Sequence, residues 1–263
     1  MSSSRLSAHI GYLYGEFPLI ERVNAARRAG FSAVEHPNPM AIPAREMRAR
    51  LEEQGMAFAQ MAAATGDGAR GEKGLAALPG READFRDALA RSLDYAEAIG
   101  CPLVHPMAGV AEGDAARAAD TYRANLRHAV EQCRGRPVRI LVEAISEAAV
   151  PGYFMSRLEQ AVAMADEIAP DEILLLADTF HAAANGTDLL AFIGAQAPRI
   201  GHVHIADHPG RHEPGTGNLA FEPVLRALLA AGYGRAIGFE YIPTAATDAT
   251  LSWMAAWKDL LNA

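Results

Sequence analysis

Ile173-Leu174-Leu175-Leu176-Ala177-Asp178 is an apolar run that ends on a carboxylate. Three other apolar runs also end on a polar residue, namely Ile140-Leu141-Val142-Glu143 before it and Ile200-Gly201-His202-Val203-His204 and Ala236-Ile237-Gly238-Phe239-Glu240 after it. Their closing residues are 35, 26 and 36 positions apart, about one strand and one helix each. Because α/β barrels carry their active sites at the C-terminal ends of their strands, we expect the four closing residues to converge there.

Three carboxylates and one imidazole make up this predicted site: Glu143, Asp178, His204 and Glu240. A carboxylate at the end of a buried strand is costly unless it is paired or binds a metal. Ordinary salt bridges would explain one such residue, but four in succession favour a metal site. Oxygen ligands with one nitrogen suit Mg²⁺ or Mn²⁺, and Co²⁺ or Zn²⁺ are the alternatives because imidazole binds them well.

Short apolar runs alternate with longer Ala-, Arg- and Glu-rich segments along the chain. The eight predicted strands are Ser7–Leu13, Ala33–Glu35, Ala57–Met61, Leu103–Pro106, Val138–Glu143, Ile173–Asp178, Ile200–Ile205 and Ala236–Glu240. The eight predicted helices are Phe17–Arg28, Ala44–Glu53, Glu82–Ala98, Ala115–Cys133, Met155–Ile168, Asp188–Ala195, Phe221–Ala230 and Leu251–Leu261. This alternation predicts an α/β protein with parallel strands and crossover helices.

Eight strand–helix units in 263 residues are the size of one (β/α)₈ TIM barrel, so we expect a single catalytic domain over residues 1–263. An open doubly wound sheet is the alternative. It would usually carry a Gly-rich phosphate turn after its first strand, and Ile10-Gly11-Tyr12-Leu13-Tyr14-Gly15 is a poor match to that motif.

Composition limits the partners and the compartment. The formal net charge of −8, from 24 Lys and Arg against 32 Asp and Glu, disfavours nucleic acid as a partner. We expect no membrane span, because no apolar run approaches 18 residues, and no secretory signal in Met1-Ser2-Ser3-Ser4-Arg5. Cys101 and Cys133 lack metal-binding spacing and are expected to be free thiols in the cytoplasm. A homo-oligomer is left open.

Polar residues beside the predicted ligands are candidates for substrate contact. His181 follows Asp178 by three positions, and His202 shares a strand face with His204. The segment Asp207–Gly217 is rich in Gly and Pro and contains Arg211, which can fork onto a substrate carboxylate, and Glu213, which could orient that arginine. The Gly-rich loop Ala62–Gly80 is a further lid or substrate-contact candidate.

Two glutamates on opposite sides of a bound α-hydroxycarbonyl compound can move a proton between adjacent carbons. One removes the C–H proton and the other returns a proton at the neighbouring carbon, while a metal stabilises the enediolate oxygens as a Lewis acid. Glu143 and Glu240 have the positions for these roles.

The sequence also resembles a known family. Ile205–Gly217 with Gly238-Phe239-Glu240-Tyr241, and the stretch from Gly71-Glu72-Lys73-Gly74 to Phe85-Arg86, resemble the hydroxypyruvate isomerase family of xylose-isomerase-like barrels, which includes 2-oxo-tetronate isomerases. The resemblance extends from Leu13 to Met254. It implies a metal-assisted isomerase that interconverts a short hydroxy-keto acid, hydroxypyruvate or a 2-oxo-tetronate, with its aldehyde or keto isomer.

Carried over by position, the family's acid/base pair falls on Glu143 and Glu240, and its metal ligands on these two with Asp178 and position 204. The family usually has Gln at that position, where this chain has His204. It commonly has Glu-Pro-Ile-Asn where this chain has Glu143-Ala144-Ile145-Ser146. The strand end His105-Pro106-Met107-Ala108-Gly109 also differs from the family's usual sequence. This difference and the one at Glu143–Ser146 lie where substrate would bind, so they concern the substrate's identity more than the reaction type.

Other functions of the same barrel are the alternatives. A ketose 3-epimerase or a dehydratase is the first, although such epimerases carry a further Glu six residues after the first ligand, where this chain has Ala149. An abasic-site endonuclease would need more His and acidic ligands and a basic face. A non-catalytic protein that binds sugar acids would not need the pair Glu143 and Glu240.

Overall fold

A computed structural model describes residues 5–262. In this part of the chain it contains nine β-strands: β1 (Leu6–His9), β2 (Ala33–Glu35), β3 (Ala57–Phe58), β4 (Met61–Ala63), β5 (Leu103–Pro106), β6 (Arg139–Glu143), β7 (Ile173–Asp178), β8 (Ile200–Ile205) and β9 (Ile237–Phe239). The strands form one parallel sheet in the order β3-β2-β1-β9-β8-β7-β6-β5-β4.

The two ends of this sheet are consecutive segments of the chain. Only Ala59 and Gln60 separate β3 from β4, which lie where a single strand, Ala57–Met61, was predicted. The first segment pairs with β2 and the second with β5, so together they fill the third strand position and complete the ring. The predicted xylose-isomerase-like TIM barrel is therefore confirmed.

Nine α-helices lie in the described residues: α1 (Leu19–Ala29), α2 (Ala44–Gln54), α3 (Glu82–Ile99), α4 (Ala115–Cys133), α5 (Leu158–Ile168), α6 (Thr179–Ala184), α7 (Leu189–Gln196), α8 (Phe221–Ala230) and α9 (Met254–Asn262). Eight correspond to predicted helices. The short α6 was not predicted, and it begins directly at Asp178, whose side chain caps it by accepting a hydrogen bond from the His181 amide.

Strand alternation divides the buried residues between two layers. Leu174 and Leu176 of β7 pack with Leu103 and Leu141 in a separate cluster inside the barrel. Their neighbours Ile173, Leu175 and Ala177 belong to the larger core between strands and helices. Because side chains alternate along a strand, Asp178 has the same inward direction as the two leucines.

A group of aromatic rings packs on the outside of β9. The rings of Phe239 and Trp253 are stacked with centroids 4.0 Å apart, and Phe31 and Trp257 contact this pair. These rings join β9 to the segment between α1 and β2, where Phe31 lies, and to α9.

Two further observations complete the fold. Cys101 and Cys133 are free and buried, as expected. Among residues 5–262, no helix is both long enough and apolar enough to cross a membrane.

Candidate active site

The four predicted ligands converge at the C-terminal end of the barrel. Glu143 ends β6, Asp178 ends β7, His204 lies in β8 and Glu240 follows β9, and one ligand atom of each lies within 4.8 Å of the others. The Nδ1 atom of His204 is 3.0 Å from Glu240 Oε2, 3.7 Å from Glu143 Oε1 and 3.8 Å from Asp178 Oδ2. The imidazole nitrogen thus faces three carboxylates.

The donor set fits a divalent cation. Asp178 Oδ2 and His204 Nδ1 are buried and have no hydrogen-bond partner among the described residues. Buried polar atoms are normally paired, so two unpaired atoms that face the same point indicate a ligand. Three carboxylate oxygens and one imidazole nitrogen suit Mn²⁺, Co²⁺ or Zn²⁺, and Mg²⁺ less readily because of the nitrogen.

Mutual attraction dominates the protonation states of these groups. Burial opposes ionisation of Glu240, but Arg211 and His204 outweigh it and lower its pKa well below the ordinary value. Burial also opposes ionisation of Glu143, but its contacts with His105 and His204 outweigh it and lower its pKa. Burial lowers the pKa of His204, yet Glu240 and Glu35 raise it well above the ordinary value. A bound cation would neutralise this concentration of negative charge.

Two histidines that were not predicted contact the carboxylates of Glu143 and Glu240. His105 Nδ1 lies 3.2 Å from Glu143 Oε2, and His9 Nε2 lies 3.3 Å from Glu240 Oε1. Both histidines are buried. Each therefore contacts one oxygen of a glutamate and leaves the other oxygen to face the ligand cluster.

A third residue missed by sequence reasoning is Glu35, at the end of β2. It is fully buried, and its Oε2 accepts hydrogen bonds from Ser7 Oγ and His202 Nε2, each at 2.8 Å. His202, which was expected to share a strand face with His204, contacts the same carboxylate as His204. Glu35 stands at the end of the predicted strand Ala33–Glu35, but after so short an apolar run that position is a weak signal, and His9 lay inside the predicted strand Ser7–Leu13.

Arg211 enters the site from the loop after β8. Its Nη2 is 2.7 Å from Glu240 Oε2 and 3.9 Å from Asp178 Oδ2, and its guanidinium lies 5.4 Å from the ring centres of both Tyr12 and Phe180. Burial disfavours its charge, but Glu240 and Asp178 raise its pKa above the ordinary value. A fixed cation therefore stands beside the ligand cluster.

The backbone of this loop is organised by Asp207. Its Oδ1 accepts hydrogen bonds from the amides of His208 and Leu219, and its Oδ2 from those of Gly215 and Gly217. The Asp207 carbonyl also accepts from the Arg211 amide at 3.0 Å. A buried carboxylate with four backbone donors thus fixes the path of the loop that carries Arg211.

The remaining predicted residues have different surroundings. His181 is buried beside the site, and its Nδ1 lies 3.1 Å from Ser146 Oγ. Glu213 accepts hydrogen bonds from the backbone amide and the hydroxyl of Thr244. Its contact is therefore with the segment after β9, and its role in orienting Arg211 stays a prediction.

A cavity of about 500 Å³ opens onto the ligand cluster. Glu143, His181, His204, Arg211 and Glu240 line its floor, and Thr65, Gly66 and Lys73 from the loop between β4 and α3 line its wall. The volume suits a small molecule, and the lining combines carboxylates with two cationic side chains.

Comparison with known proteins gives the family. The family model described as a xylose isomerase-like TIM barrel matches residues 23–257. The chain belongs to this family.

Relatives of this xylose isomerase-like barrel match along nearly its whole length. It is 39% identical to a 2-oxo-tetronate isomerase of Cupriavidus necator over 252 residues, which cover 95% of this chain and 97% of the relative. It is 29% identical to the hydroxypyruvate isomerase of Escherichia coli, with 97% and 99% covered. A crystal structure from Brucella melitensis, named an AP endonuclease of family 2, has a TM-score of 0.93 and 32% identity, with 96% and 98% covered.

The expected resemblance to the hydroxypyruvate and 2-oxo-tetronate isomerases is therefore confirmed. The prediction that this xylose isomerase-like barrel is an isomerase is confirmed as well.

Proposed function

We propose that this protein is a metal-assisted isomerase that interconverts a short hydroxy-keto acid and its aldehyde or keto isomer. Hydroxypyruvate with tartronate semialdehyde, or a 2-oxo-tetronate with its isomer, are the substrates we propose. The observation that carries the proposal is the group of four potential ligand atoms within 4.8 Å of one another, because three of their residues, Glu143, His204 and Glu240, line a cavity of small-molecule size. The names of the full-length relatives support the substrate class.

Glu143, Asp178, His204 and Glu240 would hold the cation. When bound, a divalent cation would supply Lewis-acid polarisation of the substrate's oxygens. Asp178 and His204 serve only as ligands in this proposal, because Asp178 is tied to the start of α6 and His204 is enclosed in the barrel.

Glu143 and Glu240 would move the proton. They approach the cluster from different strand positions, and His105 and His9 hold one oxygen of each. One glutamate carboxylate accepts the proton from the carbon that carries the hydroxyl group, leaving an enediolate. The hydroxyl proton passes to the former carbonyl oxygen, and the other glutamate, in its carboxylic acid form, returns a proton to the former carbonyl carbon. Proton exchange with solvent then restores both glutamates. The product has the same atoms as the substrate, so the reaction needs no co-reactant.

Arg211 would bind the substrate's carboxylate through its planar guanidinium. Tyr12 and Phe180 hold this group from two sides, and Asp207 fixes its loop. His181 would contact a substrate oxygen from the cavity floor. Glu213 would act indirectly, through its link to Thr244, on the loop that carries Arg211.

The name of the Brucella melitensis structure raises nuclease activity as a second function of this barrel. We do not assign it here, because the net charge of −8 provides no overall attraction to a phosphate backbone. We propose a small-molecule substrate, no nucleic acid partner and a cytoplasmic location.

The test is to incubate Mn²⁺-loaded protein in D₂O with hydroxypyruvate, a 2-oxo-tetronate and neutral ketoses, followed by ¹H NMR. We expect deuterium at carbon and formation of the isomeric product with one of the two acids. Inversion at C3 of a ketose would establish the epimerase alternative instead. Absence of exchange and of product with every compound would contradict an isomerase acting on these substrates.

A further inference from the structure

Glu35 and His204 make a close contact beneath the ligand cluster. Glu35 Oε1 lies 2.8 Å from His204 Nε2, an ion-pair contact, and neither atom makes a hydrogen bond with any other described residue. The other oxygen of Glu35 is already used by Ser7 and His202. The two nitrogens of His204 therefore face opposite ways, Nε2 toward Glu35 and Nδ1 toward the carboxylates of the candidate metal site.

A neutral imidazole has one N–H donor and one lone-pair acceptor, and only the acceptor can bind a metal. A carboxylate against Nε2 accepts the proton there and leaves the lone pair on Nδ1. We propose that Glu35 is a positioning residue, which holds His204 in the Nε2–H form and selects Nδ1 as the ligand atom. This inference rests on the proposed metal-assisted function.

The packing around Glu35 is specific to this arrangement. A Cβ atom placed on Gly238 would lie 2.2 Å from Glu35 Oε1 and 2.7 Å from His202 Nε2. Gly238 pairs with His204 in the parallel register of β8 and β9. The absence of a side chain at this position therefore leaves the space that the carboxylate occupies next to His204.

The cost of burying Glu35 also needs an explanation. A carboxylate inside a barrel loses its hydration, and this loss is offset only when donors surround it. Ser7 and His202 supply two hydrogen bonds, and His204 completes the set. Carboxylates behind ligating histidines typically change metal affinity about 10–100-fold when removed. We expect an effect of that size here.

A double-mutant cycle tests whether Glu35 acts through His204. The dissociation constant of Mn²⁺ is measured by electron paramagnetic resonance for the wild type, Glu35→Gln, His204→Gln and the double variant. We expect Glu35→Gln to weaken binding about 10–100-fold in the wild type and about threefold or less in the His204→Gln background, because coupled residues are not additive. If Glu35→Gln weakened Mn²⁺ binding equally in the wild type and in His204→Gln, the proposal would be contradicted. Glu35 would then act only through its charge and not through His204.

Two further variants separate position from charge. Glu35→Asp keeps the negative charge but withdraws it from His204, so we expect it to weaken Mn²⁺ binding as Glu35→Gln does. Ser7→Ala removes another hydrogen-bond donor to the Glu35 carboxylate and should change the affinity for Mn²⁺ about threefold or less. Wild-type affinity in Glu35→Asp would contradict the proposal, and folding of each variant is checked by thermal denaturation.

A spectroscopic measurement reports the tautomer directly. In Zn²⁺-loaded protein with ¹⁵N-labelled histidine, we expect the proton of His204 on Nε2, and its loss or displacement in Glu35→Asp. A proton on Nδ1 in the wild type would overturn the assignment. If the wild type binds no Mn²⁺, the proposed metal centre fails together with this role. If it binds Mn²⁺ but the cycle is additive, only the role of Glu35 fails.

Discussion

The two catalytic glutamates are the residues on which the proposed reaction depends. Replacement of either Glu143 or Glu240 by Gln keeps the shape but removes a base and a charged ligand. We expect kcat for the preferred keto acid to fall at least about 100-fold, since positioned acid–base groups contribute about 10²–10⁴-fold. The measurement is steady-state kinetics with deuterium exchange at carbon, and Glu222→Gln on the exposed face of α8 is the matched control.

The control should retain wild-type kcat. Normal activity in both Glu143→Gln and Glu240→Gln would contradict the proposed proton-transfer roles of these two glutamates.

Arg211 is the residue we expect to distinguish acids from neutral substrates. Arg211→Met removes the guanidinium but retains much of the apolar contact with Tyr12 and Phe180. Loss of a buried charged hydrogen bond of about 2–5 kcal/mol predicts a fall in kcat/KM of at least about 30-fold for the keto acid. For a neutral ketose of the same length, kcat/KM should fall less. Arg226→Met, on an exposed ion pair, is the control.

An equal loss for the acid and the neutral ketose would show that Arg211 acts through Glu240 alone, not through the substrate's carboxylate.

At this scale the sequence predicted the convergence of the four strand-end residues better than it predicted their surroundings. Asp178 follows a long apolar run, so its unusual position is visible in the sequence alone. Glu35 follows only Ala33 and Val34, and nothing in so short a run distinguishes it from an ordinary surface acid. His9 was placed inside a longer strand, Ser7–Leu13, whereas β1 ends at this residue. Their contacts come from different strands, which spacing along the chain cannot reveal.

Among the structural elements, the loop after β8 depends on a single carboxylate. Asp207 accepts four backbone hydrogen bonds within or next to this loop. In Asp207→Asn only one oxygen remains an acceptor, and the new amide faces two N–H groups. We expect a loss of about 2 kcal/mol or more, a fall in Tm of about 4 °C or more, and a raised KM because Arg211 is displaced.

Thermal denaturation and steady-state kinetics check this, with Asp188→Asn as the control. Asp188 caps α7 by accepting a hydrogen bond from the Ala191 amide, and Asn caps a helix equally well. The Tm of the Asp188→Asn variant should therefore differ from that of the wild type by about 1 °C or less. An unchanged Tm in Asp207→Asn would contradict the importance of these four hydrogen bonds.

Most helices and strands were predicted to within a few residues, because their apolar periodicity is strong. The third strand was not predicted correctly: β3 and β4 are separated by Ala59 and Gln60. The chain there follows the curvature of the ring between β2 and β5, a tertiary requirement that local sequence does not express. The helix α6 was missed since it has only six residues and begins at a ligand.

At the scale of the whole molecule, a cation held by four strand positions should stabilise the barrel. A ligand that binds only the folded state at about 100 times its Kd adds about 2.7 kcal/mol. We therefore expect Mn²⁺ at such a concentration to raise Tm by at least about 5 °C, and EDTA to reverse the shift and abolish turnover. Differential scanning calorimetry measures this, and Asp178→Asn should show a much smaller shift.

No change of Tm in the wild type at millimolar Mn²⁺ would contradict the metal centre. That the chain forms one catalytic domain also stays a prediction, and a single calorimetric transition that moves as a whole with Mn²⁺ would support it.

The stacked pair of Phe239 and Trp253 determines what tryptophan fluorescence can report. The two tryptophans of the chain, Trp253 and Trp257, both contact this outer group of rings. Phe239 points outward, while its neighbours Gly238 and Glu240 point toward the barrel interior. The emission of Trp253 and Trp257 should therefore shift to the red when the outer core unfolds. It should stay nearly constant when substrate or cation enters the cavity. Intrinsic fluorescence is thus an optical probe of unfolding in this protein, and occupancy of the site needs a different signal.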